Sequence, residues 1–246
     1  MNILNRKTKF FVFSDVHGNA TQLKNSMANA GFDPDDPTHV AISCGDNFDR
    51  GCENKEVFKY LQGLKRVILI KGNHEDMLER TLERGTLGIS EQMSGLDTTI
   101  TEFFGSRSID EYGVIRNDRF ISDKLIEFTS SMLDFFETKN YIFVHGWIPV
   151  STKSDVKGRL WETASCRSWQ RARLMGWPQM YSLGLTVNGK TIVCGHRSAS
   201  YGIRFCKEDN RKSQYDPYFD DGIIAIDGFT MISGQVNVVV IEDEWI

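Results

Sequence analysis

Four of the five histidines in this chain, His17, His74, His145 and His196, stand next to or two residues from an Asp, Asn or Gly just past a short apolar run. In chain order the polar groups are Asp15 and His17, Asp46 and Asp49, Asn73 and His74, His145, and His196. Taken singly, each histidine reads most simply as a hydrogen-bonded turn residue. Their recurrence after successive apolar runs points instead to a shared site. Carboxylate, imidazole and amide-oxygen donors together suit hard or borderline divalent cations such as Mn, Fe or Zn. Two such ions bridged by a carboxylate and a water make hydroxide available near neutral pH and clamp two oxygens of a phosphate. None of the cysteines flanks these residues in a ligand pattern, which argues against a structural zinc site.

The octet Cys44-Gly45-Asp46-Asn47-Phe48-Asp49-Arg50-Gly51 concentrates the charge. It follows the apolar run Val40–Ser43, so it belongs at the carboxyl end of a strand, where open α/β sheets bind ligands. Asp46 is the candidate ligand shared between two ions, and Arg50 the candidate holder of an anionic substrate. An exposed Asp-rich turn closed by Gly51 is the plain alternative.

The elements that must position these residues are legible in the hydrophobic pattern. Strands are expected at Phe10–Phe13, His39–Ser43 and Arg66–Ile70, each ending in a polar motif and followed by a helix: Ala20 to Ala30, Asn54 to Leu61, and the segment carrying Met77, Leu78 and Leu82. This βαβα order places three motifs on one rim of a sheet. A helical insertion is expected at about 85–137, with one helix at Ile100–Phe104 and a longer one from Phe120 through Phe136. Further strands are expected at Tyr141–Val144, Thr191–Cys194, Tyr201–Phe205, Ile223–Ile226 and Val236–Ile241, with a helix from Leu160 to Met175 and a mobile loop from Lys207 to Tyr218. The expectation is a single domain over 1–246.

Composition bounds the reading. With 246 residues, 40% hydrophobic and 25% charged, the chain is long enough for a sizeable core. A net charge of −4 argues against a nucleic-acid scaffold but not against an anionic substrate, because one arginine or metal dominates locally. Five cysteines, Cys44, Cys52, Cys166, Cys194 and Cys206, without a C-x-x-C pair suit free thiols in a reducing cytoplasm. Neither a signal peptide nor a membrane span is expected.

Ser14-Asp15-Val16-His17-Gly18, Gly45-Asp46-Asn47-Phe48-Asp49-Arg50-Gly51 and Gly72-Asn73-His74-Glu75 resemble the three signature blocks of the PPP-type, calcineurin-like metallophosphoesterases. His145-Gly146 and Gly195-His196 are similar to the two later blocks, in family order. Ser14 departs from the family's usual Gly. The resemblance implies an α/β fold of two mixed β-sheets packed as a sandwich and flanked by helices, with a dimetal site at the strand ends. It implies that Asp15, His17 and Asp46 hold one ion and that Asp46, Asn73, His145 and His196 hold the other, with Mn, Fe or Zn as the metals. His74 would be the general acid, Asp49 its orienting partner and Arg50 a phosphate ligand. A second phosphate-binding arginine is expected on the Trp-rich segment, with Arg173 preferred over Arg159, Arg167 and Arg171. The alternative is that these arginines stack on Trp161, Trp169 and Trp177.

The function implied is a metallophosphatase of bacterial serine/threonine protein phosphatase type, acting on phosphorylated protein by in-line attack of a bridging hydroxide. A diadenosine tetraphosphate or related nucleotide hydrolase is the alternative, with the helical insertion and the Trp-rich helix as a base-stacking pocket. A metal-free phosphate-binding module is the third reading, and the full set of ligands argues against it.

Overall fold

The computed structural model describes residues 8–116, 118–199 and 215–245. The period of two along its strands explains its layers. In β1 (Thr8–Phe13), Phe10 and Val12 face one core and Phe11 and Phe13 another. β1 pairs in parallel with β2 (His39–Ser43), and β2 with β3 (Val67–Leu69). The second sheet contains β4 (Phe136–Glu137), β5 (Tyr141–Phe143), β6 (Thr191–Cys194), β7 (Tyr218–Asp220) and β8 (Ile223–Ala225), in the order β4-β5-β6-β8-β7. Its three central strands are parallel and its edges antiparallel. β9 (Val238–Asp243) returns antiparallel to β1 and completes the first sheet.

The sheets pack face to face. Phe10, Val12, Ile42 and Cys44 of the first meet Phe143, Val193, Ile224 and Ile226 of the second in an apolar core. The outer face of the first sheet is covered by α1 (Ala20–Asn29), α2 (Asn54–Gly63) and α3 (Asn73–Arg84), and then by α5 (Leu96–Phe104) and α6 (Arg119–Ser130), while α4 (Ile89–Met93) buries none of its residues. Outside the second sheet lie α7 (Lys153–Lys157), α8 (Cys166–Ala172) and α9 (Trp177–Ser182), with Trp147, Trp161, Trp169 and Trp177 buried beneath them. This is the sandwich flanked by helices that the sequence implies. Because β1, β2 and β3 run together, as do β5, β6 and β8, the residues that follow each strand emerge at a common rim.

Three expectations are corrected. α6 stops at Ser130 rather than running to Phe136, because the unpaired edge of β3 competes for the chain. Leu133 N–H donates to Leu69 O at 2.8 Å and Lys71 N–H to Leu133 O at 2.9 Å, and Phe136 then opens β4. The helix expected from Leu160 to Met175 is broken: a 3₁₀ turn at Leu160–Thr163 is followed by extended Ala164, and Ser165 caps α8 by accepting from Ser168 N–H. The Trp-rich segment is no base-stacking surface, since Trp161, Trp169 and Trp177 are at most 2% exposed. The strand expected at Tyr201–Phe205 and most of the loop expected at Lys207–Tyr218 lie outside the described residues. Cys44, Cys52, Cys166 and Cys194 are free, and Cys206 is outside the described residues. Among the described residues no helix is long and apolar enough to cross a membrane.

Candidate metal centre

The turns that follow the parallel strands are tied to one another through their backbones. Asp15 N–H donates to Gly45 O at 3.0 Å, His17 N–H to Asp46 O at 3.1 Å, Gly51 N–H to His17 O at 3.1 Å, and Gly195 N–H to His145 O at 2.8 Å. This cross-bracing supports unusual backbone. Asp15, His17, Asp46, Asp49, Arg50 and His196 all have φ between +46° and +75°. Non-glycine residues occupy that region at a cost of roughly 1–3 kcal/mol each, and such strain collects at functional sites. Close approach is demanded of two glycines. A Cβ on Gly72 would lie 2.2 Å from Asp46 Oδ1, and one on Gly195 would lie 2.2 Å from Asp15 Oδ2.

Asp46 stands at the middle of the constellation. Its Oδ2 lies 3.9 Å from His17 Nε2, and its Oδ1 lies 3.3 Å from His145 Nε2. One carboxylate thus offers an oxygen to each of two imidazoles, the arrangement a bridging ligand needs. Asp15 Oδ1 joins the His17 side at 4.0 Å, and Asn73 Oδ1 joins the His145 side at 3.0 Å from Nε2. Asp46, His145 and His196 present donor atoms within 4.8 Å of one another, as do His17, Asp46 and His74.

The tautomers fit ligation. His17 Nδ1 faces Phe48 O at 3.0 Å, His145 Nδ1 faces Cys44 O at 2.8 Å, and His196 bonds the Leu174 backbone. A carbonyl on Nδ1 fixes the N–H there and aims Nε2 at the centre. Burial brings His17 and His196 down to about 3, so both are neutral ligands in waiting. Among the described residues His196 Nε2 is buried with no hydrogen-bond partner, an orphaned lone pair that a cation would satisfy. Burial opposes a charge on His145 too, but the Asp46 carboxylate outweighs it and lifts this histidine to about 9. Its Nε2 proton then lies between Asp46 and Asn73, where positive charge is required. The residues therefore fit a pair of divalent ions.

The third block carries one more buried acid. Glu75 is fully buried, and its Oε2 accepts from Asp46 N–H at 2.9 Å and Gly72 N–H at 2.8 Å. Oε1 accepts from Asn47 N–H at 2.8 Å and Asn47 Nδ2 at 3.1 Å. The carboxylate thus clamps the backbone that carries Asp46. Its place in the first turn of α3, after Gly72-Asn73-His74, is the only sequence signal for it.

His74 is held differently from the other rim histidines. Nδ1 donates to Asp49 Oδ2 at 2.6 Å, and Asp49 Oδ1 accepts from Thr99 Oγ1 at 2.5 Å. Nε2 faces Arg50 Nη2 at 3.2 Å and lies 3.9 Å from Asp46 Oδ2, so Nδ1 is taken by Asp49 while Nε2 looks into the centre. Burial disfavours the imidazolium, yet Asp46 and Asp49 prevail and hold His74 above its ordinary value. Burial pushes the Asp49 carboxyl up as well, so this pair is built to keep one proton.

A cavity of about 330 Å³ opens over these groups, lined by Asp15, His17, Asp46, Asn73, His74 and His196 together with Arg50 and Arg197. Tyr215, Phe229 and Met231 form its apolar side. Arg173 does not reach it. Its guanidinium is buried and donates to Lys71 O at 3.0 Å, to Asp76 Oδ2 at 2.6 Å and to Asp134, which bolts α8 to the start of α3. Three acceptors consume the fork, which explains why the arginine preferred from sequence is a brace here. Arg159 stacks on Trp161 at 4.8 Å and pairs with Glu137 and Glu162. Arg197, directly after His196, is the second cation of the cavity, and its adjacency to the last histidine was the signal available.

Residues 8–200 match the family model of the calcineurin-like phosphoesterases. The chain belongs to that family. It is similar to serine/threonine-protein phosphatase 2 of Salmonella typhimurium, with 42% identity over 67 residues, which span 27% of this chain and 29% of that relative. A protein serine/threonine phosphatase of Saccharomyces cerevisiae with similarity to human phosphatase PP5 superposes with a TM-score of 0.58 at 14% identity, covering 100% of this chain and 82% of that one. A candidate diadenosine tetraphosphatase gives 0.52 at 14% identity, covering 97% and 95%. At these identities the two structures speak for the fold alone.

Proposed function

We propose that this chain is a dimetal phosphomonoesterase whose substrates are phosphorylated proteins, with serine and threonine as the principal phosphate carriers. The observation that carries the reading is the placement of Arg50 beside His74, 3.2 Å from Nε2, at the mouth of the Asp46 centre. A guanidinium fork prefers the dianionic terminal phosphate of a monoester to the single charge of a diester.

Asp15, His17 and Asp46 would hold one ion, and Asp46, Asn73, His145 and His196 the other; Mn is the first choice, with Fe or Zn as alternatives. When bound, the pair supplies a hydroxide nucleophile and withdraws charge from the phosphoryl oxygens. The chain's own residues do the rest. Arg50 and Arg197 take the peripheral phosphate oxygens and orient the ester. Drawing Arg50 onto the phosphate frees His74 Nε2 to carry a proton, and Asp49 stabilises the imidazolium from the other side. His74 then delivers that proton to the departing oxygen, and Thr99 keeps Asp49 in register.

The runner-up is a dinucleoside polyphosphate hydrolase, which Tyr215 and Phe229 favour because aromatic rings beside a phosphate cavity suit a base. Turnover of p-nitrophenyl phosphate, bis-p-nitrophenyl phosphate, a phosphoserine peptide and diadenosine tetraphosphate with Mn, Fe, Zn and Mg separates the two. Monoester and phosphopeptide turnover is expected. Exclusive cleavage of the dinucleotide would overturn the proposal.

A further inference from the structure

A second concave surface lies on the helical side of the molecule, away from the metal centre. α2, α5 and α6 enclose a groove of about 380 Å³. Its floor is Phe58, Phe103 and Leu125, with the Phe58 and Phe103 rings edge to face at 5.6 Å. Phe120 stands at the mouth with 67% of its surface exposed. A large ring in water beside an apolar floor loses the hydrophobic gain it would have if covered, roughly 1.5–3 kcal/mol for a fully buried side chain.

The rim is basic although the chain as a whole is acidic. Lys124 Nζ lies 4.3 Å above the Phe120 ring, and Lys55 Nζ lies 5.9 Å from the Phe103 centroid. Lys59 is neutralised by Glu56 at 2.7 Å. Among the described residues neither Lys55 nor Lys124 has a carboxylate at ion-pairing distance. Glu102 is spent on α2, where it accepts from Asn54 Nδ2 at 2.8 Å and from Lys55 N–H at 3.1 Å. An apolar trough under two uncompensated ammonium groups complements a chain that carries carboxylates around a bulky apolar side chain.

The groove is also mechanically close to the active cavity. Asn54 opens α2 and accepts from Asp49 N–H at 2.8 Å. Thr99 of α5 bonds the Asp49 carboxylate, and Phe103, one turn later, forms the groove floor. We propose that the groove docks an acidic, aromatic-bearing segment of the phosphoprotein substrate, tethering the phosphorylated residue near Arg50. The proposal rests on the phosphoprotein reading for the identity of the tethered partner. Its gain is effective concentration, so it lowers KM and leaves the chemical step alone.

The test uses the full chain with Mn. Two peptides share one phosphoserine site, and one of them carries an appended Glu-Asp-Phe-Glu-Leu segment on a Gly-Ser linker. The appended segment is expected to lower KM roughly ten-fold at constant kcat. Lys55→Glu with Lys124→Glu, two exposed substitutions, should erase that advantage while p-nitrophenyl phosphate kinetics stay at the wild-type level. In parallel, fluorescence anisotropy of the labelled, unphosphorylated segment reads the groove without catalysis. Binding that is lost on charge reversal supports the docking site. Absence of binding to the wild type, or a KM advantage that survives charge reversal, overturns it. If the segment binds but neither phosphopeptide is turned over, the phosphoprotein reading fails and the groove stands.

Discussion

Replacing Asp49 by Asn separates the charge on the His74–Asp49 pair from its geometry. The Asn oxygen can still accept the Nδ1 proton now received at 2.6 Å, and its amide can donate to Thr99 Oγ1, which is 2.5 Å from the other oxygen. What disappears is one buried negative charge. A carboxylate in contact raises an imidazole by about 1–3 pKa units, or about 1.4–4 kcal/mol of preference for the protonated form. His74 acts as an acid only while protonated, so activity falls as pH rises through its pKa. Lowering that pKa brings the fall to lower pH, and the alkaline limb of kcat is expected to move down by about 1–3 units. The assay is a pH–rate profile with two monoesters. An alkyl phosphate, whose leaving oxygen needs a proton, should lose far more than p-nitrophenyl phosphate, whose leaving group departs as an anion. An unmoved alkaline limb, or equal losses on both substrates, would refute His74 as the general acid.

Further outcomes are expected. Glu75→Gln deprives two of the four N–H groups on the carboxylate of their acceptor, at about 1–3 kcal/mol each, so thermal unfolding should show a loss of about 2–6 kcal/mol and calorimetry a weaker metal affinity; wild-type values for both would remove Glu75 from the clamp. Arg173→Leu strands buried carboxylate charge and should cost roughly 3–5 kcal/mol with KM unchanged in the folded protein, whereas Arg197→Ala should raise KM without loss of stability; the reverse pattern would return phosphate binding to Arg173. Metal loading at pH 7.5 should expel about one proton from His145, measured by calorimetry in buffers of different ionisation enthalpy. The sign is fixed by linkage: a histidine raised to about 9 stabilises the metal-free fold fully below its usual 6.5 and loses that contribution between 6.5 and about 9. The melting temperature of the metal-free protein should fall across that window.

Most of the rim was legible because it depends on local pattern. Each apolar run that ends in a polar motif became a strand end, and the parallel pairing of neighbouring strands then gathered Asp15, Asp46, Asn73, His145 and His196 without long-range information. Tertiary competition decided what was misread. The apolar spacing through Phe136 is as compatible with a strand as with a helix; the open edge of β3 captured Leu133 and pairing with β5 made Phe136–Glu137 a strand. Arg173 sits in a segment rich in arginine and tryptophan, where sequence offers four fork donors and no means of telling which finds carboxylates in the interior. Asp76 and Asp134, distant in sequence, made that choice. Glu75 went unassigned because its partners are backbone N–H groups, which every residue possesses and no motif distinguishes.

The central claim is that Asp46 joins two ions in one hydrolytic centre. Anomalous diffraction from crystals of the Mn-loaded chain tests it directly. Two peaks are expected on either side of the Asp46 carboxylate, one beside Asp15 and His17 and one beside Asn73, His145 and His196, with His74 outside both coordination spheres. A single peak, or a peak ligated by His74, would contradict the bridging role of Asp46 and the acid role of His74.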